Sequence, residues 1–317
     1  MALISNLVNM CFSFRNIASS FKPITVIGAL CLLLASCTEL SPGDTFGGNN
    51  HVTDYPWSKE YFEGVWGSSV NNVFAVGTNG YILRYNGSSW DKSESGVSVT
   101  LTDVWGSSAD NVYAVGESGT VLHNNGSTWT KLELSFPENL NAIWGTSDDN
   151  IFIASASGKV IHFNGQEWYE MENPGVGELN YVWGTGPENV YSVSSKGSIL
   201  HYDGERWSKM AEGFQPLYAI WGSSDSNLFA TGTGGTMVHY NGSEWVDADS
   251  KAHTGLYGIW GNSSSNIYAV GTVGTILKYD GEQWKLMGTF TKENLADIWG
   301  VRDKIFIVGG FGTIQIL

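Results

Sequence analysis

The hydrophobic and polar positions of this chain form short apolar runs cut by polar, glycine-bearing turns. In the unit Leu101 to Leu132, LTDVWG alternates large side chains, GSSADN is a turn cluster and NVYAVG is a second run. GESGT then makes a tight turn, VLHNN is a third run, NGST another turn and WTKLEL the fourth run. Four such runs of four to six residues predict the strands of an antiparallel meander. A helical repeat would need about ten or more periodic residues without these glycine breaks, and none is present. The runs VWG and VYAVG are almost wholly apolar, as expected of strands buried on both faces.

The unit recurs through the chain. Trp-Gly pairs begin at Trp66, Trp105, Trp144, Trp183, Trp221, Trp260 and Trp299, at spacings of 39 with a single 38. A second tryptophan follows 24 residues after each of the first six, at Trp90, Trp129, Trp168, Trp207, Trp245 and Trp284. A period near 40 belongs to propeller blades or helical repeats, and the meander selects the blade. The fold class is therefore all-β: a seven-bladed β-propeller of four-stranded antiparallel blades. The last unit stops at Leu317 with three strands, while Trp57 stands nine residues before the first Trp-Gly pair. This predicts that Trp57 to Tyr61 supplies the outermost strand of the last blade and closes the ring. The inner tryptophans are expected to wedge between sheets, each following glycine letting the chain turn sharply.

The N-terminus has a different pattern. Residues 24–36, ITVIGALCLLLAS, are apolar throughout, shorter than a membrane span of about 20 residues and suited to the core of a signal peptide. Leu34-Ala35-Ser36-Cys37 resembles the lipobox of bacterial lipoproteins. That resemblance implies removal of residues 1–36, acylation of Cys37, and retention at the outer membrane, because no Asp follows Cys37. Met10 offers a second start. Residues 37–54, rich in Gly, Asn, Ser and Pro, read as a flexible tether, and residues 55–317 as the propeller. Of three cysteines, processing would leave only the acylated Cys37, so no intrachain disulfide is expected.

Charge narrows the partners. With 31 acidic and 16 basic residues the formal net charge is -15, which argues against tracking a nucleic-acid backbone. The membrane contact expected is the lipid anchor alone. His123, His162, His201 and His239 share one repeat position with Arg84 and Lys278, so they stand a blade apart and are not a metal cluster. Asp203 and Asp280 alternate with Asn86, Asn125, Asn164 and Asn241 before a glycine, as turn formers do. Asp103 and Asp297 recur two positions before a Trp-Gly pair, but the sequence does not bring them together. No motif marks a catalytic, metal-binding or cofactor-binding residue, and no cofactor is expected.

Variation between repeats points to one face. Strand order puts the second-to-third turns and the fourth-to-first loops on the same side. Those loops differ in almost every blade: SESGVS, LSFPEN, ENPGVGE, AEGFQ, DSKAHTG and GTFTKE. Variable loops on a rigid scaffold are the usual seat of recognition, and their distinctive large groups, Phe136, Phe214, His253 and Phe290, are the candidate binding residues.

The unit VWGSSADNVYAVGESGTVLHNNGSTW resembles the VWG/AVG-type propeller repeats of bacterial exported proteins, over residues 57–317. It is similar also to the WD-repeat architecture, with the Trp-Gly pair in place of the terminal Trp-Asp and without the Gly-His element. The resemblance implies a scaffold in an extracytoplasmic setting. The expected function is a non-catalytic, monomeric cell-envelope module for binding or assembly, its partner an envelope protein or a surface glycan. A carbohydrate-binding lectin is one alternative. A glycoside hydrolase or lyase is another, and would need convergent carboxylates about 5–9 Å apart.

Overall fold

The computed structural model describes residues 57–317; Cys37, the expected signal segment and the tether lie outside them. The first blade is built from β1 (Phe62–Ser69), β2 (Asn72–Gly77), β3 (Ile82–Tyr85) and β4 (Trp90–Ser93), paired in that order and antiparallel throughout. Five further four-stranded sheets repeat this order, and the last comprises Leu295–Val301, Lys304–Gly309 and Ile314–Ile316. The chain is thus the seven-bladed propeller that its repeat implies.

Burial explains the composition of each strand. The second strand of the first blade, NVFAVG, is buried at every position, because both faces of the sheet are covered by neighbouring blades. The core is divided accordingly. Seven apolar clusters each draw on two adjacent blades: Phe74, Val76 and Ile82 of the first blade, for example, pack on Leu101, Val104 and Leu122 of the second. The outer tryptophans reach across the same boundaries. Trp129 meets Phe74 edge-on at 5.7 Å between ring centroids, Trp207 meets Phe152 at 6.3 Å and Trp284 meets Phe229 at 5.7 Å. Blades therefore hold one another through aromatic contacts, and each such contact adds about 0.5–1.5 kcal/mol beyond its buried area.

The polar repeats are structural. His123, His162 and His239 each bond through Nε2 to an asparagine Oδ1 in the same blade at 2.6 Å, and His201 does so at 3.1 Å. Arg84 Nε donates to Asn72 Oδ1 in the same way at 2.7 Å. The Oδ1 atoms of Asn86, Asn125, Asn164, Asp203, Asn241 and Asp280 accept backbone N–H groups two and three residues on. They are the turn formers the sequence suggested.

The N-terminus closes the ring: β1 lies against Leu295–Val301, and Trp57 is buried with Phe306 and Val308 in the cluster between the last and first blades. Its detailed place differs from the expected one. Trp57–Lys59 form a turn rather than a strand, and the Gly312 N–H donates to the Glu60 carbonyl at 2.7 Å. The Trp57 carbonyl covers Gly312 as the Val97, Phe136, Gly177, Phe214, Ala252 and Thr291 carbonyls cover Gly80, Gly119, Gly158, Gly197, Gly235 and Gly274. Trp57 is thus the seventh of the loop plugs entering an innermost strand, not a seventh outer-strand tryptophan.

The glycine of the Trp-Gly pair also has a role other than the expected turn. It lies inside a continuous strand, and a Cβ at Gly145 would stand 2.7 Å from the Trp105 ring of the preceding blade. Gly106, Gly184, Gly261 and Gly300 face Trp66, Trp144, Trp221 and Trp260 in the same way. The glycine is a shelf for a neighbouring indole.

Candidate functional site

The innermost strands surround a central channel, and a recurring irregularity shapes its mouth. In all seven, the pairing register slips between the first and third residues, as between Phe62 and Gly64 or between Leu256 and Gly258. Such a β-bulge leaves the extra residue out of the ladder and re-aims it. The bulged residues are Glu63, Thr102, Asn141, Asn180, Tyr218, Tyr257 and Ala296, and together they line two overlapping cavities of about 340 and 200 Å3 at the mouth. Leu or Phe always precedes them, and Val or Ile followed by Trp-Gly always lies two residues beyond. The bulge and the residue after it, which is Gly, Asp, Ala or Tyr, are therefore variable positions inside an otherwise nearly constant strand.

The mouth divides into two halves. Thr102 Oγ1 donates to the Leu140 carbonyl at 2.7 Å, Asn141 Nδ2 to that of Leu179 at 2.9 Å, and Asn180 Nδ2 to that of Leu217 at 2.6 Å. These three side chains stitch each blade to the next. The other half is aromatic and acidic. Tyr218 and Tyr257 meet at 5.1 Å between centroids, Ala296 leaves a gap beside them, and Tyr61 and Glu63 complete the wall. Burial, with Glu117 nearby, raises the Glu63 carboxyl to about 7, and burial raises the Tyr61 phenol to about 12. Among the described residues no basic side chain forms an ion pair with Glu63.

Beneath the mouth lie Asp103 and Asp297, both buried. Asp103 accepts the Val104 and Ile143 N–H groups, each at 2.8 Å, the second from the next blade. Asp297 accepts the Val65 N–H at 2.9 Å and so joins the last blade to the first. Burial pushes both carboxyls upward, and the charge of Asp297 adds to the rise at Asp103. Gly64 and Gly258, in the preceding blades, make room: a Cβ there would stand 2.8 and 3.0 Å from the Asp103 and Asp297 Cα atoms. Deeper still, all seven Trp-Gly tryptophans line a chamber of about 170 Å3 with Asp103, Tyr181 and Asp297 at its edge. The two aspartates that the sequence left apart thus line one channel, each engaged by backbone donors across a blade boundary. Among the described residues no group of three potential metal ligands gathers.

The loop residues chosen from the sequence are placed differently. Phe136, Phe214 and Phe290 are half-buried and pack on the clusters beneath their loops, and Phe214 meets Trp245 at 6.4 Å. His253 is exposed on its loop. Cys37 lies outside the described residues. The expected face itself is present, for the Gly119 N–H donates to the Glu138 carbonyl at 2.9 Å and the Gly274 N–H to that of Glu293 at 2.7 Å, joining turns to loops. The bulged residues were missed because a bulge changes which side of a strand a residue faces. Their variability after a constant Leu or Phe was the one signal available.

This geometry defines a seven-bladed propeller with an open, asymmetric mouth. No protein-family model and no curated protein matches the sequence. Among solved structures it is similar to YCF48 from Cyanidioschyzon merolae, at a TM-score of 0.70 and 16% identity over 84% of this chain and 97% of that one. YCF48 bound to D1 peptide matches at 0.69 and 16%, over 81% and 91%. The WD40 propeller of Doa1 gives 0.70 and 11% over 81% and 92%, and a catalytically inactive virginiamycin B lyase from Staphylococcus aureus with quinupristin gives 0.73 and 10% over 83% and 96%. At these identities the likeness is one of fold, with distant propellers of the YCF48 and WD40 types.

Proposed function

We propose that this protein is a non-catalytic binding or assembly module of the bacterial cell envelope, held by a lipid on Cys37 and docking a protein partner on its channel mouth. The observation that carries the reading is the bulge. It places a variable residue of each innermost strand at the mouth, on the face that also bears the variable loops. A position free to vary while most of the strand around it stays fixed is where recognition can be built without loss of the fold. A similar propeller structure is of YCF48 bound to D1 peptide, which supports protein as the class of partner.

The alternatives receive less support. A lectin reading favours one aromatic and polar pocket recurring around the ring, whereas the bulged residues run Glu, Thr, Asn, Asn, Tyr, Tyr, Ala. A hydrolase reading needs carboxylates free to act, whereas Asp103 and Asp297 are buried and bonded to backbone N–H groups. The test is a photo-crosslinking residue at position 257 of the full-length protein in its native envelope. A discrete protein adduct that is lost when Tyr218 and Glu63 are replaced supports the reading. A protein that binds glycans on an array and gives no adduct overturns it.

A further inference from the structure

The left-handed region of backbone space favours glycine and, to a lesser degree, asparagine; a β-branched residue there is an outlier. The turns between second and third strands hold such a position at their tips, occupied by Asn79, Ser118 and Gly234 in three blades. In the sixth and seventh blades the same position holds Val273 at φ 56° and Phe311 at φ 51°. Neither side chain is buried in compensation: Val273 is 59% and Phe311 70% exposed. Two adjacent blades thus keep strained apolar side chains in water. Such strain, without a packing return, is a mark of function.

These two turns are wired to the aromatic and acidic half of the mouth. The Val273 N–H donates to Asn294 Oδ1 at 3.1 Å, and the Asn294 side chain also hydrogen-bonds the Tyr61 phenol. On the other side, a Cβ at Gly310, next to Phe311, would stand 3.1 Å from the Tyr61 ring. Tyr61 in turn shares the mouth cavity with Glu63, Tyr257 and the gap above Ala296. The cavity walls carry Glu63 and Glu178, and Glu60 and Glu293 stand in the adjoining segments, against the exposed Lys59 and Lys292. A carboxylate without an ion-pair partner among the described residues, beside two tyrosine rings, suits an organic cation, through charge and through the ring faces. In the stitched half, with Thr102, Asn141 and Asn180, the carboxylate is Glu178, which accepts Asn141 Nδ2 at 3.2 Å, and no pair of tyrosines is bulged beside it.

We propose that the sector of blades six, seven and one binds a peptide segment in which a basic side chain enters the mouth between Glu63 and Tyr257 while a neighbouring apolar side chain rests on Val273 and Phe311. The proposal rests on the mouth being the docking site, and it specifies the partner's chemistry. Arginine fits it better than lysine, since its planar guanidinium both stacks on an aromatic ring and pairs with a carboxylate.

The probe is a short amidated peptide with one arginine flanked by leucines, titrated into the full-length protein by calorimetry. Three control peptides replace the arginine by its neutral isostere citrulline, the arginine by glutamate, or the leucines by serine. Saturable binding of the arginine peptide is expected, weakened about tenfold or more by citrulline and abolished by glutamate. Serine in place of leucine weakens it several-fold. Glu63→Gln should erase the preference for arginine over citrulline, and Phe311→Gly should erase that for leucine over serine while leaving the protein folded. Equal affinity for arginine and citrulline peptides, no saturable binding up to about 1 mM, or preferences unmoved by both substitutions overturns the proposal. If position 257 still crosslinks to an envelope protein in that event, the mouth remains the docking site and only the chemistry assigned here fails. If the adduct is absent as well, both fail.

Discussion

The two ends of the central channel are built from the same seven strands, and they have opposite characters. At the deep end the repeat is constant: seven tryptophans line the chamber, and in five blades the Trp-Gly glycine lies under the indole of the preceding blade. At the mouth it varies, running through Glu63, Thr102, Asn141, Asn180, Tyr218, Tyr257 and Ala296. Packing explains the difference. A deep residue is gripped by two blades, so its size is fixed by both. A bulged residue leaves the ladder and faces the mouth, so beyond the cross-blade bonds of Thr102, Asn141 and Asn180 the fold asks little of it. Constancy here marks cohesion, and variation marks the surface left for recognition.

The comparison can be broken most easily at the deep end. Trp105→Ala should cost about 3–5 kcal/mol of stability, read from the urea midpoint, because it removes a buried ring and leaves a void beside Gly145. A cost below about 1 kcal/mol would show that the tryptophan ring is not the cohesive element.

The layer between the two ends should give an intermediate effect and a pH signature. Asp297→Ala leaves the buried Val65 N–H without its acceptor and should cost about 1–3 kcal/mol. Burial raises the Asp297 carboxyl from 3.8 to about 7, and Asp103 moves in the same direction. The folded protein therefore holds protons that the unfolded chain releases. The stability these groups contribute is complete below about pH 4 and is lost as pH rises towards 7. Urea midpoints measured across this range should fall with rising pH, and Asp297→Asn should flatten its share of the fall while Glu63, raised to about 7 by burial, continues to contribute. A midpoint that rises over the same interval in the wild type and not in the variant would reverse the assignment.

The smallest effect is expected at the rim, with the opposite sign. Phe311→Gly relieves a left-handed backbone and loses almost no buried area, so it should stabilise the protein by about 1 kcal/mol. A destabilised Phe311→Gly protein would mean that the ring packs in the fold and is not held for a partner.

Much of this was legible in the sequence, for stated reasons. The Trp-Gly spacing fixed blade number, and the alternation with glycine turns fixed the strands. Asp203 and Asp280 were readable as turn formers because asparagine replaces them in other blades, and the loop face followed from strand order. The site was less legible. Tyr257 and Glu63 enter the mouth through a one-residue slip in register, which the period of the strand does not announce. Phe136, Phe214 and Phe290 attracted attention as large residues in variable loops, but apolar groups at loop roots pack inward, as these do. Trp57 matched the tryptophan count and suggested an outer strand; its carbonyl over Gly312 identifies it as a loop plug, a distinction that depends on which interface it enters. Val273 and Phe311 carried no signal until their backbone angles were known.

The central claim is that the aromatic and acidic half of the bulged ring, with Glu63, Tyr218 and Tyr257, is free of structural duty and carries recognition. It is tested most directly by replacing Tyr218 and Tyr257 with asparagine, the residue found at the bulge in two other blades, and measuring both urea midpoint and crosslinking from position 63 in the envelope. The account predicts a midpoint changed by no more than about 0.5 kcal/mol per site and loss of the partner adduct. A protein that unfolds readily, or one that keeps its adduct intact, would contradict it.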